Sequence, residues 1–476
     1  MPGGTRFRIW PKIGEGYQNP EVVEVSLPPG TIGPGPQDPS MYVANAVGKV
    51  LPYRMPDRLP PYTGREYPPA MPDADGHFDQ IPEGSPQFLA AHLYGSTRRV
   101  FDLWENLLGH PIAWWHADTY PRLELVPKVR WGNAHSGPGF LEMGLLWSHS
   151  GVPQMLGLNF SVIAHEVGHT ILFSVLGAPE QGRLTGAFLA FHEAFADHVS
   201  AHAVLYFDSA IERLLLQTRG NLYALNLISR IGELSGVDQV RVLDNDVSVS
   251  DLRGLRLGPG GKWIDPLGLG RDQHAAAAPL SGAIFDCCIE LFQDELVARG
   301  VIGSHIDTRK WSRAEVKAAL APLQAATGAA LERFADDFAA ALRRARDLSS
   351  LALARCIQRL DANDLAFKTV AARYCEALVE LGQAHILPAL IANFLERDID
   401  PRPLLGRAPA ANTATWGTLP PAERLRRVMG AGRGSLPGWT APFGGGCLGC
   451  RDPRAIAAVS RLIRHPYRGA TALSGE

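Results

Sequence analysis

Apolar residues return every three or four positions in four separate stretches of this chain, and each such stretch predicts a helix with a buried face. From Ser85 onward Phe88, Ala91, His92, Tyr94, Val100, Phe101, Trp104 and Leu107 keep that interval until Gly109, where the helix should stop. Val162, Ile163, Ile171, Leu172 and Val175 repeat it, as do the apolar positions from Ala187 to Val204. Between Arg309 and Glu396 the chain is alanine-rich, and Val316, Leu320, Leu323, Leu331, Phe334, Phe338 and Leu342 predict a helical bundle. A different texture occupies Leu123 to Trp131, then Gly132-Asn133-Ala134-His135, a Gly-Pro turn and Phe140 to Gly144, which together predict a hairpin or meander.

Residues 1–80 hold fifteen of the thirty-seven prolines, so regular helix is excluded there and extended or polyproline-like backbone is expected. Ile9, Trp10, Val22, Val23, Val25, Tyr42, Val43 and Tyr53 are too apolar for a pure spacer. They predict an extended arm packed over the rest, a plain linker being the alternative.

Polar residues interrupt the second helical stretch as His165-Glu166-Val167-Gly168-His169. Helical positions four apart lie about 40° from each other around the axis, so both imidazoles project from one face, one turn apart. That arrangement grips one metal ion, and Glu166 beside it can take a proton from a water the metal activates. The third helical stretch repeats the spacing with Glu193 and Asp197. A catalytic zinc keeps three protein ligands and an open fourth place, a count met by His165, His169 and Glu193. Asp197, one turn on, suits an outer role, accepting the free N–H of a ligand histidine and fixing its tautomer. His92 and His110 read as satisfied histidines rather than ligands.

This pair of stretches resembles the gluzincin zinc metallopeptidases, the thermolysin-like and fungalysin-like endopeptidases, in which HExxH is followed about twenty to twenty-five residues later by a short acidic motif. Here that motif is His192-Glu193-Ala194-Phe195-Ala196-Asp197, with His192 in place of the usual asparagine. The likeness covers roughly Gly76 to Glu396. It implies an α+β, thermolysin-like zincin: a sheet-containing N-terminal half, a central HExxH helix and a mainly helical C-terminal half with the active site between them. The parts are then an arm at 1–80, a sheet-containing half at 81–180, a helical half at 181–396 and a Gly/Pro/Arg-rich extension at 397–476.

The resemblance also assigns roles. It makes Glu193 the third zinc ligand and Asp197 the aspartate behind the first histidine. Asn133 and Ala134 match an edge strand that pairs with substrate backbone, although an asparagine beside glycine also suits an ordinary turn. Arg253, in Ser248-Val249-Ser250-Asp251-Leu252-Arg253, matches an arginine that reaches the carbonyl beyond the scissile bond, a surface residue being the alternative. His274, before the small-residue run Ala275 to Ala278, matches a histidine that stabilises the oxyanion, with Asp272 or Asp265 orienting it. Two features depart from the family: Thr170 to Leu184 contains no tyrosine, and His198 to Phe207 offers no calcium-binding run of carboxylates.

The implied activity is hydrolysis of peptide bonds in peptide or protein substrates, with an endopeptidase as the leading reading. An aminopeptidase-type relative would need a GxMEN-like segment, which the chain lacks, and a zinc-binding interaction protein without turnover is the other reading. A formal net charge of −2 gives no basic surplus for nucleic acid. The N-terminus lacks a continuous apolar core and no window of about eighteen uninterrupted apolar residues follows, so no membrane span is expected and a cytoplasmic location is the default, with secretion by another route open. Six cysteines make no disulfide scaffold. Cys287, Cys288, Cys356 and Cys375 read as small core residues, and Cys447-Leu448-Gly449-Cys450 as loop thiols or a metal or redox pair.

Overall fold

The computed structural model describes residues 3–407 apart from 13–18, 55–56, 148–152, 181–182, 232–240, 253–255, 258–262, 265–269, 272 and 304. It opens with an antiparallel hairpin, β1 (Thr5–Ile9) and β2 (Glu21–Val25), paired from Thr5 with Val25 to Ile9 with Glu21. Alternation sets its two faces. Thr5, Phe7 and Ile9 are fully buried, while Arg6 and Arg8 reach out to Asp79 at 2.8 Å and Glu83 at 3.0 Å. The Phe7 ring stacks on Phe78 at 5.0 Å and lies on the helix α1 (Pro86–Leu108) at Gly95, where an added Cβ would sit 2.7 Å from that ring.

The strand β3 (Met41–Val43), still inside the proline-rich region, pairs in parallel with β4 (Leu123–Val126), so this segment supplies one edge of the main sheet. The sheet is completed by β5 (Ala134–Gly137) and β6 (Phe140–Met143) in the order β3-β4-β6-β5. The expected hairpin is β5 with β6. A meander does not form, because β4 pairs in parallel with β6 and β5 is left at the far edge. Every residue of β4 and β6 is buried, as an inner strand covered on both faces requires. A short antiparallel pair follows, β7 (Leu145–Trp147) and β8 (Pro153–Met155).

One sheet face, with Leu123, Leu125, Leu141 and Met143, belongs to the main core. The other joins Val126 and Phe140 to Ala44, Ala46 and Tyr53 in a second, smaller core. Two fully buried carboxylates, Glu124 and Glu142, lie on this second face. Glu124 accepts from the Tyr42 hydroxyl at 2.6 Å, the Tyr62 N–H at 2.8 Å and the Tyr53 hydroxyl. Glu142 accepts from the Tyr53 N–H at 2.6 Å and pairs with Lys49 at 3.2 Å and His135 at 2.7 Å. A buried carboxylate is costly unless so partnered, so the proline-rich segment is fastened to the sheet by these two side chains.

The helix α1 starts on Ser85, whose hydroxyl accepts from the Phe88 N–H, and ends on Gly109 at φ 79°. His92 is a satisfied core histidine on it. Its Nε2 accepts from the Trp10 N–H and its Nδ1 donates to the Gly157 carbonyl, both at 3.0 Å, and burial pushes its pKa down to about 3.

The helices α2 (Phe160–Val175) and α3 (Gly186–Val204) form the centre, each capped by a side chain, Asn159 for α2 and Thr185 for α3. Beyond them come α4 (Asp208–Thr218), α5 (Gln273–Ala298), α6 (Arg313–Ala318), α7 (Leu320–Leu331), α8 (Ala335–Ile357), α9 (Phe367–Leu378) and α10 (Leu387–Leu395). The architecture is therefore α+β, with the larger sheet in the N-terminal half, the HExxH helix at the junction and a mainly helical C-terminal half. Cys287, Cys288, Cys356 and Cys375 are free thiols buried among these helices; Cys447 and Cys450 lie outside the described residues.

Among the described residues, two helical stretches are long and apolar enough to cross a membrane, although neither is an uninterrupted apolar run. The first, His274–Ala298, has 89% of its most apolar window buried within the protein. The second, Phe367–Leu395, is broken at Gly382, whose φ is 87°.

Candidate metal centre

The apolar flanks of the HExxH segment explain why its polar groups are inside. Every residue of α2 from Phe160 to Phe173 is buried, so His165, Glu166 and His169 are carried into the interior with 3%, 1% and 6% exposure. Gly168, between the two histidines, lets α3 approach: a Cβ there would lie 2.9 Å from the Ala196 Cα. The Ser200 hydroxyl on α3 donates to the Ser161 carbonyl of α2 at 2.7 Å, tying the pair together.

This close crossing brings Glu193 to the histidines. One donor atom from each of His165, His169 and Glu193 lies within 4.8 Å of the others, and among the described residues no other group of this kind forms. Glu193 Oε2 is 3.4 Å from His165 Nε2 and 3.8 Å from His169 Nε2. Ligands bound tetrahedrally at about 2.0–2.1 Å stand roughly 3.3 Å apart, so the two Glu193 separations are close to those of a zinc site, and the His₂Glu donor set fits its catalytic form.

The electrostatics agree with that fit, since a metal needs neutral imidazoles and an ionised carboxylate. Burial holds His169 well below the usual histidine range. Burial alone would raise Glu193, but its neighbours His274, His169 and His165 outweigh it and hold the carboxyl well below its ordinary value. Asp197 Oδ1 lies 2.9 Å from His165 Nδ1, which places the ring proton on Nδ1 and the Nε2 lone pair toward Glu193.

The other expected residues are placed less evenly. His274, in the first turn of α5, has its Nδ1 2.8 Å from the same Glu193 Oε2, so it reaches the Glu193 carboxylate itself. Asn133 and Ala134 stand at the start of β5, the edge strand that packs along α2, and Asn133 Oδ1 accepts the Ala134 N–H at 2.8 Å. Arg253, Asp272 and Asp265 lie outside the described residues.

One residue beside the site escaped the reading of the sequence as anything but a departure. The His192 ring lies parallel to that of His169, at 4.2 Å and 8°. Its only signal in the sequence is adjacency to Glu193, which does not reveal a stack across two helices. Burial pushes its pKa down to about 4.

No family model matches the chain, and no curated protein matches it in sequence. Among solved structures it is similar to the precursor of protealysin, a metalloproteinase from Serratia proteamaculans, at 11% identity over 79% of this chain and 90% of that one, with a TM-score of 0.39. Similarity at that level leaves any functional assignment to the geometry of α2 and α3.

Proposed function

We propose that the chain is a zinc-dependent peptidase of the thermolysin-like kind, hydrolysing peptide bonds within peptide or protein substrates. The observation that supports this reading is the convergence of donor atoms from His165, His169 and Glu193 within 4.8 Å, next to the buried Glu166. Those three side chains would hold the ion and leave one coordination place for water or substrate. Zinc held there would supply Lewis acidity, lowering the pKa of a water to about 7 and polarising the scissile carbonyl. Glu166 acts as general base, taking a proton from the attacking water and passing it to the leaving amine.

The remaining roles follow the resemblance to the gluzincin peptidases. Asp197 keeps His165 in the tautomer that presents Nε2. Asn133 and Ala134 on β5 would pair with an extended substrate by main-chain hydrogen bonds. His274 would donate to the developing oxyanion, oriented by Asp272, and Arg253 would reach the carbonyl beyond the scissile bond.

Peptides blocked at both ends test the proposal. Cleavage should occur, stop on treatment with a zinc chelator and return when zinc is added back. Absence of cleavage, or cleavage indifferent to the chelator, contradicts it. Cleavage confined to peptides with a free amine would instead indicate an aminopeptidase.

A further inference from the structure

His192 and His169 come from different helices, yet their rings are stacked, with centroids 4.2 Å apart and planes 8° from parallel. Phe173 of α2 closes on His192 at 4.5 Å and Phe188, one turn earlier on α3, at 6.2 Å. The imidazole is thus wedged between aromatic groups and His169, and it is 4% exposed. Its Nε2 finds no hydrogen-bond partner among the described residues.

Accepting the reading of His165, His169 and Glu193 as a zinc site, we infer that His192 is a positioning residue that fixes the ring plane of His169 by face-to-face stacking. The two ligand histidines then have different supports. Asp197 holds His165 by a hydrogen bond at 2.9 Å to Nδ1, whereas His169 is held flat against a second ring. Rotation of His169 about its Cβ–Cγ bond would swing Nε2 away from Glu193 Oε2, and it would also drive the ring edge into His192. The same stack has a second consequence. Donating its Nε2 lone pair to a cation makes the His169 ring electron-poor, and the π face of a neutral imidazole is a favourable neighbour for such a ring. Because His192 immediately precedes Glu193, one short segment of α3 supplies a ligand and steadies another.

Outer residues that orient ligands typically change metal affinity ten- to a hundredfold when altered. Three forms of the full chain separate this role from plain packing: the parent, His192→Leu, which fills the space without a flat ring, and His192→Phe, which restores the ring. Zinc affinity is read by competition with a chromophoric chelator, and ligand geometry by the visible spectrum of the cobalt-substituted protein. His192→Leu should bind zinc about tenfold or more weakly and shift the cobalt bands, while His192→Phe should keep both near the parent and melt higher without metal. Equal affinity and an unchanged cobalt spectrum in His192→Leu overturn the inference. So does a folded His192→Phe that loses affinity, a result that stands even if the leucine variant fails to fold. A parent that takes up no zinc removes the site reading and this inference with it, whereas the other outcomes leave the site reading intact.

Discussion

Glu193 and Glu290 are both almost inaccessible, at 1% and 3% exposure, yet their surroundings drive them in opposite directions. Imidazoles surround Glu193 and keep it ionised. Glu290 on α5 has burial against it, and the nearby Asp286 and Asp307 add to the effect while Tyr223 and Arg309 oppose it, so its pKa is pushed up to about 7. The Tyr223 hydroxyl donates to its Oε1 at 2.9 Å. Since the folded protein holds this proton more tightly than the unfolded chain does, the contribution is complete below about pH 4.5 and is lost as pH rises toward 7, on the order of 3 kcal/mol. His92, His116 and His198 have depressed values and add a slope of the opposite sign below about pH 6.5, so the parent curve alone does not isolate Glu290. Denaturant unfolding of the parent and Glu290→Gln across pH 4.5–7 does. The stability difference between them should move against the parent as pH rises, and parallel curves would refute the assignment.

At the scale of elements, the site depends on how closely α2 and α3 cross. Gly168→Ala tests that dependence. The added Cβ meets the Ala196 Cα at 2.9 Å and the Val199 Cβ at 3.2 Å, contacts with backbone and a branched side chain that cannot simply rotate away. Overpacking of this kind costs about 1–3 kcal/mol, against roughly 1 kcal/mol gained from alanine's helix preference. The variant should therefore melt lower and bind zinc more weakly, because any separation of the helices draws Glu193 from the histidines. A variant with parent-like melting and affinity would show the crossing to be loose. These two helices were legible in the sequence because HExxH and ExxxD state their own geometry once a helix is assumed. The order of the sheet was not. The residues of β4 and β6 indicate strands, but nothing local says that β4 will pair with β6 in parallel and leave β5 outside.

In the whole molecule, the sheet half supplies the floor of α2 and the helical half supplies α3 and α5, so candidate ligands and outer residues come from both sides of the junction. The part least visible beforehand is how the proline-rich segment is held. Glu124 and Glu142 look like solvent-facing strand positions, yet both are fully buried beneath Tyr42, Lys49, Tyr53 and Tyr62. Alternation of polar and apolar residues cannot separate an exposed face from one covered by a segment eighty residues earlier. His192 was hidden for a similar reason, its stack being a contact between helices. All of this structure serves the claim that three side chains hold one zinc ion beside a general base. Zinc content and cleavage of a denatured protein, measured together for the parent and Glu166→Gln, test that claim most directly. Both should hold about one zinc per chain, and the variant alone should lose about a hundredfold to ten-thousandfold in turnover. A parent without zinc, or a Glu166→Gln variant that cleaves at the parent rate, would contradict it.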